Sequence, residues 1–322
     1  MALMQRFGNY RYTPFILAAL VAAISAFRMF GPGRDYAGYT SYFNWAVSLP
    51  SIDLLYTFGY DLGFGLLLYG YALIAKWPFS MFFFMVALPT LFIKFWCFRR
   101  YSPNFPVAVI SYLSLFFVVH EYTQLRAGSA IALMMLAAGL VLVEKKRTMG
   151  GFIGLGAVTL HISSALVLPF IFAAAFSLYL LLGFASLALF SGTILEKVAL
   201  EFDPRVALYI SVAKNYPPPN PFSSLKIYQY LTVLLFLYFR QEIRGKGWGM
   251  VECAGWFLVV GLAFFFGTFS APVLAHRFSE LFTAFMPFLI AGLAALMPRK
   301  WAMLYVAVGV VIGCWSSYGI LR

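Results

Sequence analysis

The sequence predicts an all-α polytopic membrane protein, and three observations carry that reading. Of 322 residues, 63% are hydrophobic and only 11% are charged, against about 25% charged in ordinary soluble chains. Mean hydropathy is +0.87, which leaves too little polar surface to enclose a soluble core. Apolar runs such as Phe79 to Phe98 and Trp256 to Phe269 do not alternate with period two, so the short strands of a membrane barrel are excluded. In lipid, backbone N–H and C=O groups must be satisfied inside the protein, which leaves helices.

The first span, about Thr13 to Phe27, follows Arg6 and Arg11 and reads as an uncleaved signal anchor, because the chain continues as membrane spans. Basic clusters orient the rest. Arg6 with Arg11, Arg99 with Arg100, Lys145 to Arg147, Arg240 with Arg244 and Lys246, and Arg299 with Lys300 are all assigned to the cytoplasm. The N-terminus is then cytoplasmic and the address is a bacterial inner membrane. These loops account for the net charge of +12, and no basic stripe points to a nucleic acid.

Phe79 to Phe98 is the second span, kinked by Pro89. Residues 28–78 therefore form a long periplasmic loop. It contains a non-spanning helix at about 61–76, because roughly 16 helical residues reach only about 24 Å of a roughly 30 Å core. Phe105 to Val119 leaves and Ala127 to Val143 returns, with the polar link His120 to Arg126 facing outside. The even number of spans required before Arg240 predicts a break in Gly150 to Phe176 near His161 and Ser163, a long tilted helix with Pro169 being the alternative.

Ser177 to Leu195 exits, and about 196–226, with Pro217 to Pro219, Asn220 and Pro221, is a second periplasmic loop. Ile227 to Phe239, Val251 to Phe269, Ser279 to Met297 and Ala302 to Ile320 complete about ten or eleven transmembrane helices. Residues 1–322 form a single integral membrane domain. Cys97, Cys253 and Cys314 are odd in number and lack metal-ligand spacing, so neither a disulfide framework nor a structural zinc is expected.

Charged and polar groups in apolar spans are costly, and they mark where chemistry is to be sought. Gly31, Pro32 and Gly33 after span one form a turn that aims Asp35, a candidate base, toward the membrane. Tyr36 and Tyr39 follow as sugar-stacking candidates, with an interfacial aromatic belt as the plain alternative. Asp61 opens the non-spanning helix and reads first as a cap, second as an acceptor-binding acid; Asp53 competes less well. Glu121 and Gln124 are candidate substrate contacts. Arg126 lies at a helix N-terminus, the wrong end for the dipole and the right one for gathering anions, unless it merely pairs with Glu121.

His161, with Ser163, is a second candidate base or else a polar link between helices. His276 and Arg277, with Glu280, stand at the entrance to the next-to-last span, where an interfacial ion pair is the alternative. Under one topology Arg28, Arg126 and Arg277 fall on the same outer side. Planar guanidinium groups suit bidentate phosphate binding, so a lipid-linked phosphate is the natural ligand, ordinary headgroup contacts being the weaker reading.

The ordered motifs are Phe27, Arg28, Gly33, Asp35 and Tyr39; Gly63 and Phe64 preceded by an acid; Gln124, Arg126 and Ala127; His161 with Ser163; and Arg277 before a late span. On these the chain resembles, nearly end to end, the EpsG-like branch of Wzy-type polysaccharide polymerases. The resemblance implies a glycosyltransferase of GT-C-like helical architecture that joins oligosaccharide repeat units carried on undecaprenyl diphosphate. The product would be O-antigen, as in lipopolysaccharide biosynthesis, or capsule or exopolysaccharide, made at the periplasmic face. The sequence departs from the family pattern at Asp61, where Glu is expected.

In that reading Arg126 and Arg277, helped by Arg28, hold the diphosphate, while Asp35 or His161 removes the acceptor proton. No cofactor and no metal are expected, since arginines take the metal's place and no Asp-x-Asp pair occurs. The expected partners are the lipid-linked donor and acceptor, membrane lipids and a chain-length regulator. Competing roles are an O-antigen ligase, a polyprenyl-phosphate-sugar transferase and a lipid-linked oligosaccharide flippase. Charges gathered on one rim favour an enzyme over a flippase.

Overall fold

The structure, a computed structural model, describes residues 12–29, 35–48, 61–74, 78–176 and 217–321. Arg6, Arg11, the Gly31 to Gly33 turn, Asp53, the Ser177 to Leu195 span and most of the second loop lie outside the described residues. Apolar segments this long satisfy their backbone by coiling, and among the described residues no strand occurs. The first half holds α1 (Thr13–Ala26), α2 (Tyr36–Ser48), α3 (Leu62–Ile74), α4 (Phe79–Tyr101), α5 (Phe105–Leu115), α6 (Leu125–Ala138), α7 (Arg147–Leu160) and α8 (Val167–Phe176). The second holds α9 (Ser224–Gly245), α10 (Gly249–Gly267), α11 (Pro272–Thr283), α12 (Met286–Leu296) and α13 (Arg299–Leu321).

Among the described residues, α4, Leu125–Val143, α10 and α13 are long and apolar enough to cross a membrane, and α11 with α12, bent by 50°, makes a fifth. The protein is a multi-pass membrane protein. The expected ten or eleven spans rest also on Thr13–Ala26, Phe105–Leu115 and Ile162–Ala174, which are apolar but shorter. Helix α3, 13 residues and about 20 Å long, belongs to the same group of shorter apolar helices.

Helix α1 lies along α4, α4 along α6, and α6 along α7; α5 packs between α12 and α13; α10 gathers α9, α11 and α12. The long loop is structured where it is described: Phe43 packs on Phe79 at 5.4 Å and Tyr71 on Phe82 at 5.3 Å, seating α2 and α3 on the start of α4. Among the described residues, three of the basic clusters, those of Arg100, Lys145–Lys146 and Arg244, meet at one end. Glu144 accepts from Tyr101 Oη at 2.9 Å and pairs with Lys146 and Arg100, while Glu252 pairs with Arg244 at 2.6 Å. Lys145, Arg244, Trp248 and Glu252 line one cavity there. The start of α6 lies some 19 residues from that cavity, about 28 Å along a helix.

Several expectations change. The link His120 to Arg126 is not an outward-facing connection: Val118–Thr123 is a π-helical stretch whose His120, Glu121 and Tyr122 are almost fully buried. A polar backbone inside the bundle must bond to itself, and coiling does this. Ser279 to Met297 is not one straight span but belongs to the bent pair α11 and α12. The second loop ends early, since Ser223 Oγ accepts from Lys226 N and starts α9 at Ser224. The break near His161 is present, with His161 extended between α7 and a 3-10 turn, Ile162–Leu166.

Candidate active site

Interrupting a helix strands backbone donors, and the break after Leu160 is closed from outside. Asp61 Oδ1 accepts from Ile162 N at 3.1 Å, and Asp61 Oδ2 lies 3.3 Å from His161 Nδ1 and 2.8 Å from Arg126 Nη1. Only a glycine lets α3 come this near: a Cβ on Gly63 would stand 2.6 Å from Thr159 Oγ1 and 2.9 Å from the Thr159 carbonyl oxygen. Asp61 stands at the head of α3. It joins the starts of α3 and α6 to the end of α7.

Asp61 precedes α3, outside the spanning helices, and is 6% exposed. Burial pushes its pKa up, but the His161 hydrogen bond and the Arg126 charge outweigh that and hold it at about 2. An ionised carboxylate only accepts, so His161 Nδ1 carries the proton of that bond and Nε2 is the atom left for exchange. Arg126 N–H faces Tyr39 Oη at 3.4 Å, and the Tyr39 ring lies 5.9 Å from the Arg126 guanidinium.

Arg28 ends α1. Met29 N donates to Ile24 O and Arg28 N to Ser25 O, both at 3.4 Å, a Schellman closure in which Arg28 occupies the left-handed position at φ +53°. Glycine is usual there, and a side chain costs about 1–2 kcal/mol. The guanidinium is held by the Tyr122 carbonyl and by the rings of Tyr36 at 4.2 Å, Phe83 at 4.3 Å and Tyr122 at 4.8 Å. Its Nε and Nη2 donors find no acceptor among the described residues. Tyr39 stands within electrostatic reach of Arg28, so Tyr36 and Tyr39 act here as supports for arginines.

The late helices complete the cluster. Arg277 on α11 lies within electrostatic reach of His161 and Glu280. Asp35, at the turn into α2, reaches the same carboxylate. Asp61, Arg126 and His161 thus form one group, with Arg277 within reach of His161 and Arg28 adjoining through Tyr39. Ser163 sits half-buried in the adjoining 3-10 turn. His276 is exposed, with its ring 5.6 Å from Phe265.

Glu121 is the residue the structure sets apart. It is neither a substrate contact nor the partner of Arg126: it is fully buried, with Lys94 on Oε1 and Tyr112 on Oε2. A Cβ on Gly128 would stand 3.0 Å from Glu121 Oε1 and from the His120 carbonyl oxygen, so this turn packs tightly on α6. Two cations escaped the sequence reading. Lys94 lies in mid-span, which is itself a signal. Lys226 occupies the first turn of α9, as Arg126 does in α6, with Nζ 3.1 Å from Ser279 Oγ and 3.9 Å over the Phe265 ring.

Among the described residues, no group of three or more His, Cys, Asp or Glu is placed to hold a metal ion. Residues 11–319 of the chain match the EpsG family. No curated protein and no solved structure matches it.

Proposed function

The chain belongs to the EpsG family, and from that premise we propose that it polymerises undecaprenyl-diphosphate-linked repeat units at the periplasmic face of a bacterial inner membrane. Family membership supports a role of polysaccharide-polymerase type in general. The observation that carries the finer reading is the meeting of Arg28, Arg126 and Arg277, from three helices far apart in sequence, around Asp61, His161 and Tyr39 at the end of the bundle away from the basic clusters.

In this mechanism the acceptor sugar hydroxyl attacks the anomeric carbon of the donor, and undecaprenyl diphosphate leaves. Charge grows on the leaving diphosphate, where guanidinium groups already in place need little reorganisation. Asp61 fixes the plane of Arg126 through Nη1, and the aromatic cage fixes that of Arg28. The hydroxyl proton passes to a base of the site. His161 is oriented for exchange at Nε2, and Asp35 is the alternative base.

The test is a gel of surface and lipid-linked polysaccharide from the source bacterium with the gene deleted, then restored with wild type or Arg126→Ala. Single repeat units without a ladder, with the ladder returned by wild type alone, support the polymerase. Long polymer retained on its carrier points to a ligase, and units held on the cytoplasmic face to a flippase.

A further inference from the structure

A glycine lets α9 and α13 meet: a Cβ on Gly309 would stand 2.4 Å from Tyr228 Oη. Tyr305 extends the join, with its ring 5.3 Å from that of Tyr228 and its Oη 2.9 Å from Thr232 Oγ1. From that join toward the end of α9 that carries Arg240 and Arg244, a groove of about 480 Å³ runs between the two helices. Its walls are apolar stripes at helical spacing, Leu231, Leu235 and Tyr238 on α9 and Trp301, Leu304 and Val308 on α13. Leu231, Leu304 and Val308 are exposed, and Tyr238 and Trp301 at the mouth are 80% and 65% exposed, so the groove is open along its length.

The mouth is basic. Arg299 and Lys300 stand between Pro298 and Trp301, which both line the groove, and Lys300 is one turn before Leu304. Both cations are exposed, and among the described residues neither has an ion-pair partner. Arg240 and Arg244 on α9 are instead taken up by Glu252, at 3.8 Å and 2.6 Å. Glu242, one turn past Tyr238, is exposed and pairs with neither Arg299 nor Lys300. An apolar slot, then Trp and Tyr rings, then two cations without an acid follow the order of an acyl chain, an interfacial backbone and an anionic headgroup. A second copy of the chain lacks that complementarity, because a twofold contact through this groove would set the same cations against each other.

We propose that the groove between α9 and α13 binds one anionic glycerophospholipid, with an acyl chain along Leu235 and Leu304 and the phosphate against Arg299 and Lys300. The site lies at the end of the bundle opposite Asp61, Arg126 and His161, and it does not depend on the polymerase reading.

The experiment uses the purified full chain in nanodiscs of phosphatidylethanolamine, into which phosphatidylglycerol or phosphatidylethanolamine with brominated acyl chains is titrated. Quenching of Trp301 is read as the difference between wild type and Trp301→Phe. Two cations at the headgroup should give phosphatidylglycerol a preference of about 30-fold there. Arg299→Gln with Lys300→Gln is expected to bring that preference to about one at an unchanged melting temperature, since both side chains are exposed. Equal quenching by the two lipids in wild type means bulk lipid only and overturns the site, as does a preference that survives the double substitution. A dimer in the nanodisc whose Trp301 is shielded from both lipids assigns the groove to a second copy and overturns it. Undecaprenyl phosphate that displaces the brominated lipid at amounts where unlabelled phosphatidylglycerol does not overturns it in favour of the isoprenoid carrier.

Discussion

Two buried ion pairs stand on one short segment: Glu121 faces Lys94 within the bundle, and Arg126, five residues on, faces Asp61 at its end. In the first pair both side chains are 0% exposed, and Tyr112 takes the remaining Glu121 oxygen. In the second, the Asp61 side chain is 2% exposed but those of its partners Arg126 and His161 retain 16% and 13%. A closed pair can only hold helices together, because nothing from outside can reach it. An open pair keeps an orienting anion inside and presents the cation and the imidazole to a ligand. The same sequence signal, charge within an apolar run, therefore has two meanings, and accessibility separates them.

The largest effect expected is on the closed pair. Lys94→Met leaves Glu121 buried without its cation and should cost about 3–5 kcal/mol, much of it recovered by Lys94→Met with Glu121→Leu. Thermal unfolding in detergent measures this, and polymer made per folded molecule should stay near wild type. A Lys94→Met protein that melts normally yet makes no polymer would merge the two clusters into one functional site.

Arg126→Lys tests the open pair by keeping the charge and removing the planar fork. Polymer synthesis should fall about 10²–10³-fold, in line with losing one transition-state donor, with little change in melting. Arg277→Ala should lose polymer likewise, and a normal ladder from both variants refutes the diphosphate role.

Asp61 sharpens the comparison through pH. Its pKa of about 2 lies below the ordinary value of 3.8, so ionised Asp61 contributes about 2 kcal/mol to folding. A depressed carboxylate pKa gives stability that is fully present above about pH 4 and is lost as the pH falls through about 2. Asp61→Asn should thus melt lower than wild type at pH 7, with the gap closing as pH drops from 4 toward 2. A gap that persists unchanged at pH 2 shows that geometry, not ionisation, holds the junction.

The smallest effect sets the baseline for an uncharged link. Thr90 Oγ1 and Ser129 Oγ, 2.9 Å apart, join α4 to α6. Thr90→Val should cost only about 0.6 kcal/mol, the average for such bonds between membrane helices. A cost near that of Lys94→Met would mean that packing, not charge, explains both.

Much of the site was legible because its residues are expensive where they stand. Arg126, His161 and Arg277 stand out in the sequence as polar interruptions of apolar runs, and the structure puts the first two on Asp61 with Arg277 within reach of His161. The break at His161 followed from counting spans between basic clusters. Glu121 was misread because its counterion, Lys94, lies 27 residues earlier on another helix, and no local pattern reports a contact of that separation. Lys226 was hidden by assigning its segment to a loop, although Ser223 before it is a helix-starting residue.

Composition and the lack of period-two alternation determined that this chain lives in lipid as packed helices, because in lipid only helices or a closed barrel satisfy the backbone and the runs do not alternate. Charge distribution along the chain pointed to helix ends that lie together, and the clusters of Arg100, Lys145–Lys146 and Arg244 do so. Only the tertiary structure decided which acid meets which base: Asp61 with Arg126 and His161, and Glu121 with Lys94. Those pairings depend on how closely α3 approaches α7 at Gly63 and the 118–123 turn approaches α6 at Gly128. Such approaches are set by side-chain packing between segments distant in sequence, and neither hydropathy nor spacing encodes them.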